Sequence, residues 1–165
     1  MPEAPPTPIG PEQAALITGP VSIVVSSRDA ALRPHLMRPA ACRLSDDRRR
    51  VTLLLPRTGS LQVLDDIREN RQVAVVFSDP PTNRTLQVKG NDAVVATCGP
   101  DDAALARRHL QGFAAVIGRL GFAADVAETL LGHDPELVAV HFTVGEAYEQ
   151  TPGPSAGKPL AAPAR

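Results

Sequence analysis

The stretch that most constrains the fold covers residues 48–70 and reads RRRVTLLLPRTGSLQVLDDIREN. Residues 51–55 are β-branched and aliphatic, with arginines before them and a proline after them, which predicts a strand buried on both faces. Apolar residues three positions apart (Leu61, Leu64 and Ile67) then predict an amphipathic helix. A strand, a short loop and a helix therefore organise the middle of the chain.

The loop between this strand and helix contains Arg57, Thr58, Gly59 and Ser60. A helix N terminus presents unpaired backbone N–H groups and the positive end of the helix dipole, so it favours an anion such as phosphate. A purely structural interpretation is also open, in which Thr58 or Ser60 caps the helix and Arg57 lies in solvent. The stretch alone does not decide between them.

Length and composition limit the function classes. The chain has 165 residues, enough for one domain with a sizeable core, and its net charge of -1 predicts no nucleic-acid partner and no attraction to an anionic membrane. Aromatic residues make up 3%, too few for a surface that stacks on single-stranded bases. The N terminus has no signal-peptide pattern, and the chain has no run of about 18 apolar residues. We expect a cytoplasmic protein with no membrane segment.

The residues that commonly bind metals show no metal-site spacing. Cys42 and Cys98 form no CxxC motif, and the four histidines show no triad spacing. We therefore expect no metal site, no disulfide framework and two reduced thiols in the core.

The rest of the chain predicts an antiparallel β architecture with helices. Strands are predicted at 21–27, 34–37, 41–44, 51–55, 72–78, 85–89, 92–97 and 137–143. Helices are predicted at 61–70, 101–121 and 123–131, with a helical turn at 146–150. Short turns between the strands favour an antiparallel barrel over βαβ units. Proline-rich residues 1–13 and 151–165 are expected to be flexible, which leaves 14–150 as the domain.

Four segments, in this order, carry a resemblance to a known family: VTLLLPRTGSLQVLDDIREN, VAVVFSDP, TLQVKGNDAVV and LVAVHFT. Together they resemble the pyridoxamine 5'-phosphate oxidase-like family of FMN-binding split barrels. The resemblance implies an α+β, mainly β fold, a six-stranded antiparallel split β-barrel with helical additions. It also implies a homodimer with FMN at the subunit interface.

The resemblance implies eight cofactor-binding residues. We name no catalytic residue, because hydride or electron transfer belongs to the flavin itself. These residues are Arg57, Thr58, Ser60 and Gln62 on the flavin phosphate, His35, Met37 and Arg38 on the flavin or its ribityl chain, and Gln87 on a later strand.

The sequence also departs from the family pattern. Leu61, Gln62 and Val63 stand where the oxidases have an SRK-like triplet, so two positive charges are missing, each worth about 1.5 to 3 kcal/mol of phosphate binding. The arginine-rich C-terminal substrate segment of the vitamin oxidases is also absent from TPGPSAGKPL. We therefore do not expect pyridoxamine phosphate oxidase activity.

Three functions fit these observations. The first is an FMN-dependent oxidoreductase that takes a hydride or electrons from a nicotinamide nucleotide or a small substrate. The second is a non-catalytic flavin- or haem-binding sensor dimer on the same scaffold, and the missing charges favour it. The third is a structural dimer whose pocket has decayed.

Overall fold

The computed structural model describes residues 9–131 and 136–160, and within these ranges it has four α-helices and nine strands. The helices are α1 (Pro11–Thr18), α2 (Leu61–Asn70), α3 (Asp102–Arg119) and α4 (Ala124–Leu131). The strands are β1 (Ser22–Arg28), β2 (Pro34–Met37), β3 (Ala41–Leu44), β4 (Arg50–Pro56), β5 (Val73–Ser78), β6 (Thr85–Gly90), β7 (Val94–Thr97), β8 (Leu137–Thr143) and β9 (Glu146–Glu149). A 3₁₀ turn, Thr58–Ser60, leads directly into α2.

The strands form two antiparallel sheets. One sheet has five strands in the order β2-β1-β5-β6-β9, and the other has four in the order β3-β4-β8-β7. The predicted α+β, antiparallel architecture is confirmed. The six-stranded barrel is not, because the described ranges form nine strands in two sheets and neither sheet closes on itself.

The main hydrophobic core lies between the two sheets, and two smaller clusters lie beside it. Alternate residues of β1 and β5 face inward, whereas Val51–Pro56 of β4 is buried throughout, as its continuous apolar run predicted. Phe77 of β5 and Phe142 of β8 are both buried in this core. The helix α2 adds Leu64 and Ile67 to it, so the helix lies on the inner side of the sheets.

The edge strand β2 and the helix α2 position the candidate site. In the β1–β2 pairing, Ser27 lies opposite His35 and Val25 lies opposite Met37. Val25 is in the core, so these four side chains share the inner face of the sheet, the face that α2 packs against.

The predicted helical turn at 146–150 is wrong, because Glu146–Glu149 is a strand. It pairs with β6, with Gln87 opposite Tyr148 and Val88 opposite Ala147. Ala147 of this strand is buried in the core. The edge of β6 satisfies the backbone groups of this segment better than one isolated helical turn would.

Both chain ends pack more than their proline content predicted. Within the expected arm 1–13, Ile9 is fully buried and α1 begins at Pro11. Within the expected tail 151–165, the N–H of Leu160 donates to the carbonyl of Ala147 (2.8 Å), and Leu160 packs against the core. Residues 1–8 and 161–165 of these two segments lie outside the described residues.

Candidate functional site

A buried carboxylate holds together the elements around the candidate site. Asp66 of α2 is 1% exposed and accepts three hydrogen bonds. Ser27 Oγ and His35 Nδ1 both contact its Oδ2, at 2.6 and 2.7 Å. Gln62 Nε2, one turn earlier on α2, donates to its Oδ1 at 3.2 Å. Asp66 therefore joins α2 to both β1 and β2.

The surroundings of Asp66 favour its ionised form. Burial by itself raises the pKa of Asp66, but the hydrogen bonds from Ser27, His35 and Gln62 outweigh burial and hold the pKa below its usual range. An ionised carboxylate only accepts hydrogen bonds, so His35 Nδ1 carries the hydrogen of that pair. The contact fixes the orientation of the imidazole, whose side chain is 29% exposed.

The N terminus of α2 lies next to this cluster. Ser60 is fully buried, makes no side-chain cap hydrogen bond to the helix, and its Oγ has no hydrogen-bond partner among the described residues. The backbone of Gly59 approaches β2 so closely that an added Cβ would lie 2.9 Å from Met37 Cε. The loop therefore packs directly against Met37, and the first turn of α2 lacks a side-chain cap.

The start of α2 offers hydrogen-bond donors of the kind that the phosphate of a flavin nucleotide needs. An uncapped helix N terminus and an unsatisfied hydroxyl supply donors for phosphate oxygens. Thr58 adds a second hydroxyl in the same turn. The geometry fits a phosphate group, but Leu61, Gln62 and Val63 bring no positive charge to it.

The structure does not bring all eight predicted residues to this point. His35, Met37, Ser60 and Gln62 surround the start of α2, and Thr58 lies in the adjoining turn.

Arg57 is directed elsewhere. It lines a separate cleft, and its Nε lies 3.5 Å from Glu136 Oε2. The side chain of Arg57 therefore already pairs with a carboxylate, and it does so in a different cavity.

Arg38 and Gln87 belong to the outer face of the five-stranded sheet. Arg38 Nη1 donates to Ser22 Oγ at 2.8 Å, and Gln87 accepts from Gln150 Nε2 at 3.4 Å. Gln87 is three strands away from β2, or roughly 14 Å at the usual strand spacing. Within one chain, Gln87 is therefore separate from the residues around α2.

Sequence reasoning missed Ser27 and Asp66. One signal did mark Asp66: it lies three residues after Val63 and next to Ile67, at the border of the buried stripe of α2. A carboxylate at such a position needs hydrogen-bond donors from another element. The serine that meets this need is 39 positions earlier in the chain, so no local pattern identifies it.

Two further observations apply only to the described residues. None of the helices in 9–131 and 136–160 has the length and apolar character needed to cross a membrane. The same ranges contain no group of three His, Cys, Asp or Glu side chains arranged to hold a metal ion, and His133 lies outside them.

Comparison with solved structures identifies the fold. HupZ from Group A Streptococcus is 22% identical, with 90% of this chain and 99% of that one covered at a TM-score of 0.55. A candidate pyridoxamine 5'-phosphate oxidase from Lactobacillus delbrueckii is 16% identical, with 85% and 93% covered and a TM-score of 0.54. This chain has the pyridoxamine 5'-phosphate oxidase-like fold.

The similarity of fold extends to an F420 reductase, which is 15% identical, with 84% of this chain and 98% of that chain covered at a TM-score of 0.55. No protein-family model matches the sequence, and no curated protein matches it. At these identities the comparison shows a shared fold and no shared function.

Proposed function

We propose that this protein is an FMN-binding oxidoreductase that acts as a homodimer and receives a hydride or electrons from a nicotinamide nucleotide or a small substrate. The proposal rests on one observation at the start of α2. Ser60 Oγ is buried without a hydrogen-bond partner among the described residues, and the first helical turn lacks a side-chain cap. The shared fold with a candidate pyridoxamine phosphate oxidase and an F420 reductase supports it.

In this proposal the chain holds the flavin phosphate with neutral donors. Ser60 and Thr58 contribute hydroxyls, and the first turn of α2 contributes backbone N–H groups. Asp66 holds both Gln62 and His35 in place by hydrogen bonds. The accessible edge of His35 therefore already faces the ligand, and little side-chain conformational entropy is lost on binding. The bound flavin supplies the redox chemistry, and the protein supplies position and electrostatics.

A second copy of the chain would complete the site. Arg38 and Gln87 lie on the outer sheet face, so they reach a ligand at the β2 edge only if this face is itself part of an interface. Leu32, Leu36 and Leu61 are 70%, 62% and 58% exposed, and they lie on the β1–β2 turn, on β2 and at the start of α2. Exposed leucines around one edge favour its burial by a partner.

A specific observation favours a second candidate, a non-catalytic dimer that holds flavin or haem weakly as a sensor. The helix start has no cation at positions 61–63, and Arg57 is paired with Glu136 in a different cavity. Each absent charge-assisted contact forgoes about 1.5 to 3 kcal/mol, so two would weaken flavin binding by roughly 10² to 10⁴.

Absorbance spectroscopy and an FMN titration of the purified protein test the proposal. The Ser60→Ala variant should bind FMN about tenfold or more weakly, because it loses a hydrogen bond to a charged phosphate. It should not lose stability, because Ser60 Oγ makes no hydrogen bond in the free protein. Ser155→Ala, an exposed serine in the C-terminal segment, is the matched control and should bind as the parent does.

The outcomes separate the candidates. A colourless protein that takes up no added FMN would exclude both the enzyme and a flavin sensor. FMN binding that weakens in Ser60→Ala, together with steady oxidation of NADH or NADPH, supports the oxidoreductase. The same binding without turnover supports the sensor. Equal FMN affinity in the parent and Ser60→Ala would contradict the phosphate position.

A further inference from the structure

A second cleft bounded by described residues lies on the other side of α2 from His35. It is a cleft of about 870 Å³ between α2, the edge strand β7 and the start of β8. This volume is in the range of small-molecule sites. Its floor is apolar, because Ile67 of α2, Ala93 before β7 and Val138 of β8 line it and are nearly fully buried.

The rim of this cleft carries an excess of positive charge. Arg57, Arg68 and Arg71 line it, against Glu136 as the one acidic residue among its described lining residues. Arg68 lies in the last turn of α2, Arg71 follows the helix in the left-handed conformation (φ 61°), and both line the same end of the cleft. Arg57 precedes α2 at the opposite end, roughly 15 Å away by the length of ten helical residues.

The arginines have partners that a ligand can replace. Arg68 pairs with Asp65 at 2.8 Å, and the two side chains are 52% and 67% exposed. Arg57 pairs with Glu136 at 3.5 Å, and these side chains are 51% and 73% exposed. Exposed pairs of this kind contribute little stability. Arg71 donates to the backbone carbonyl of Asp92 at 3.1 Å, and its positive charge also helps to lower the pKa of the Asp92 carboxyl.

We propose that this cleft is a second ligand site, which binds an organic phosphate with a flat, largely apolar body, the chemistry of a nucleotide. The phosphate lies between Arg68 and Arg71, where two guanidinium groups can each donate to it. The ring lies along the apolar floor toward Arg57. Inorganic phosphate alone would leave the floor and the Arg57 end unoccupied, so the site favours the larger ligand.

A cysteine in the cleft wall provides a reporter for binding. The chain has two cysteines, and Cys98 lines the cleft whereas Cys42 is buried in the core. Burial raises the pKa of Cys42 to about 12, and burial together with Asp102 also raises the pKa of Cys98, which lines the cleft and is only partly buried. Alkylation of the native protein should therefore be slow and should add one group, at Cys98.

The experiment measures N-ethylmaleimide addition at Cys98 by intact-protein and peptide mass spectrometry during a titration with ADP. Adenosine and inorganic phosphate are tested alone as controls. We expect ADP to protect Cys98, and adenosine or phosphate to do so only at much higher concentration. Arg68→Gln and Arg68→Gln/Arg71→Gln should each weaken the protection about tenfold or more. Arg119→Gln, an exposed arginine at the end of α3, should not change it.

Several results decide the proposal. Absence of protection by ADP, or protection that Arg68→Gln and the double variant leave unchanged, would overturn it. Circular dichroism confirms that the variants are folded, and Arg68→Gln alone remains informative if the double variant is not. FMN is also an organic phosphate, so it is titrated in the same way. FMN protection that both arginine variants weaken and Ser60→Ala leaves intact supports the cleft and counts against the proposed flavin position.

Discussion

Replacement of Asp66 tests the buried carboxylate cluster most sharply. Ser27 Oγ is 2.6 Å from Asp66 and lies on a buried residue, so Asp66→Ala leaves this hydroxyl without an acceptor, at a cost of about 1 to 3 kcal/mol. The hydrogen bonds from His35 and Gln62 are lost too. Their free-energy cost is smaller, because both side chains can hydrogen-bond to water instead. We expect Asp66→Ala to lower the free energy of unfolding by about 3 to 5 kcal/mol.

Asp66→Asn separates the role of the charge from that of the shape. The amide retains one oxygen, which can accept from both Ser27 and His35, so the loss should be about 1 to 2 kcal/mol. The matched control is the neighbouring Asp65→Asn, because Asp65 is 67% exposed and pairs with exposed Arg68. This control should change the free energy by less than about 0.5 kcal/mol.

The pH dependence of unfolding gives a second measure of the same cluster. The folded protein lowers the pKa of Asp66 below its unfolded value of 3.8, so the folded state binds fewer protons at this site than the unfolded chain. The associated stability is present above pH 4 and is lost as the pH falls through the folded pKa. Urea unfolding at a series of pH values should thus show a shallower acid loss for Asp66→Asn than for the parent. The reasoning would be refuted if the free energy of unfolding fell equally steeply in acid for the parent and Asp66→Asn. It would also be refuted if Asp66→Ala and Asp65→Asn lowered that free energy by the same amount.

Three other predictions follow from the packing. Gly90→Ala should destabilise the protein by about 1 to 3 kcal/mol in thermal unfolding, because the new Cβ would lie 2.5 Å from Phe142 Cδ2; an unchanged Tm would contradict this. Gly118→Ala in α3 should instead stabilise by about 0.4 to 1 kcal/mol, because beyond its chain neighbours and the backbone of its own helix no atom lies within 4 Å of its Cβ position. His109 stacks on Phe113, and burial lowers the pKa of His109 below its usual 6.5. The stability that neutral His109 contributes is therefore present above about pH 6.5 and is lost as the pH falls from there through the folded pKa. His109→Gln should flatten this loss in urea unfolding below about pH 6.5, and a parent-like slope would count against it.

The sequence predicted the elements whose signals are local. The apolar run at 51–55, the proline after it and the three-residue spacing of Leu61, Leu64 and Ile67 lie within one short stretch, and β4 and α2 form there. The strand Glu146–Glu149 has no comparable signal. It forms because the edge of β6, encoded some 60 residues earlier, offers partners to its backbone.

The same difference between local and long-range signals applies to the candidate site. The loop and the helix start were predicted, because an N terminus of a helix is a local feature. The direction of Arg57 depends on Glu136, and the burial of Asp66 depends on Ser27, each far away in the sequence. A single sequence specifies these contacts only through the whole fold, so the cluster and the arginine-rimmed cleft became visible only with the structure.

A crystal structure of the protein grown with FMN tests the central claim most directly. The account predicts phosphate density within hydrogen-bond distance of Ser60 Oγ or the first-turn N–H groups of α2, with a second chain covering the sheet face that carries Arg38 and Gln87. A flavin bound away from the start of α2, or a single chain whose β2 edge remains in solvent around the bound flavin, would contradict it.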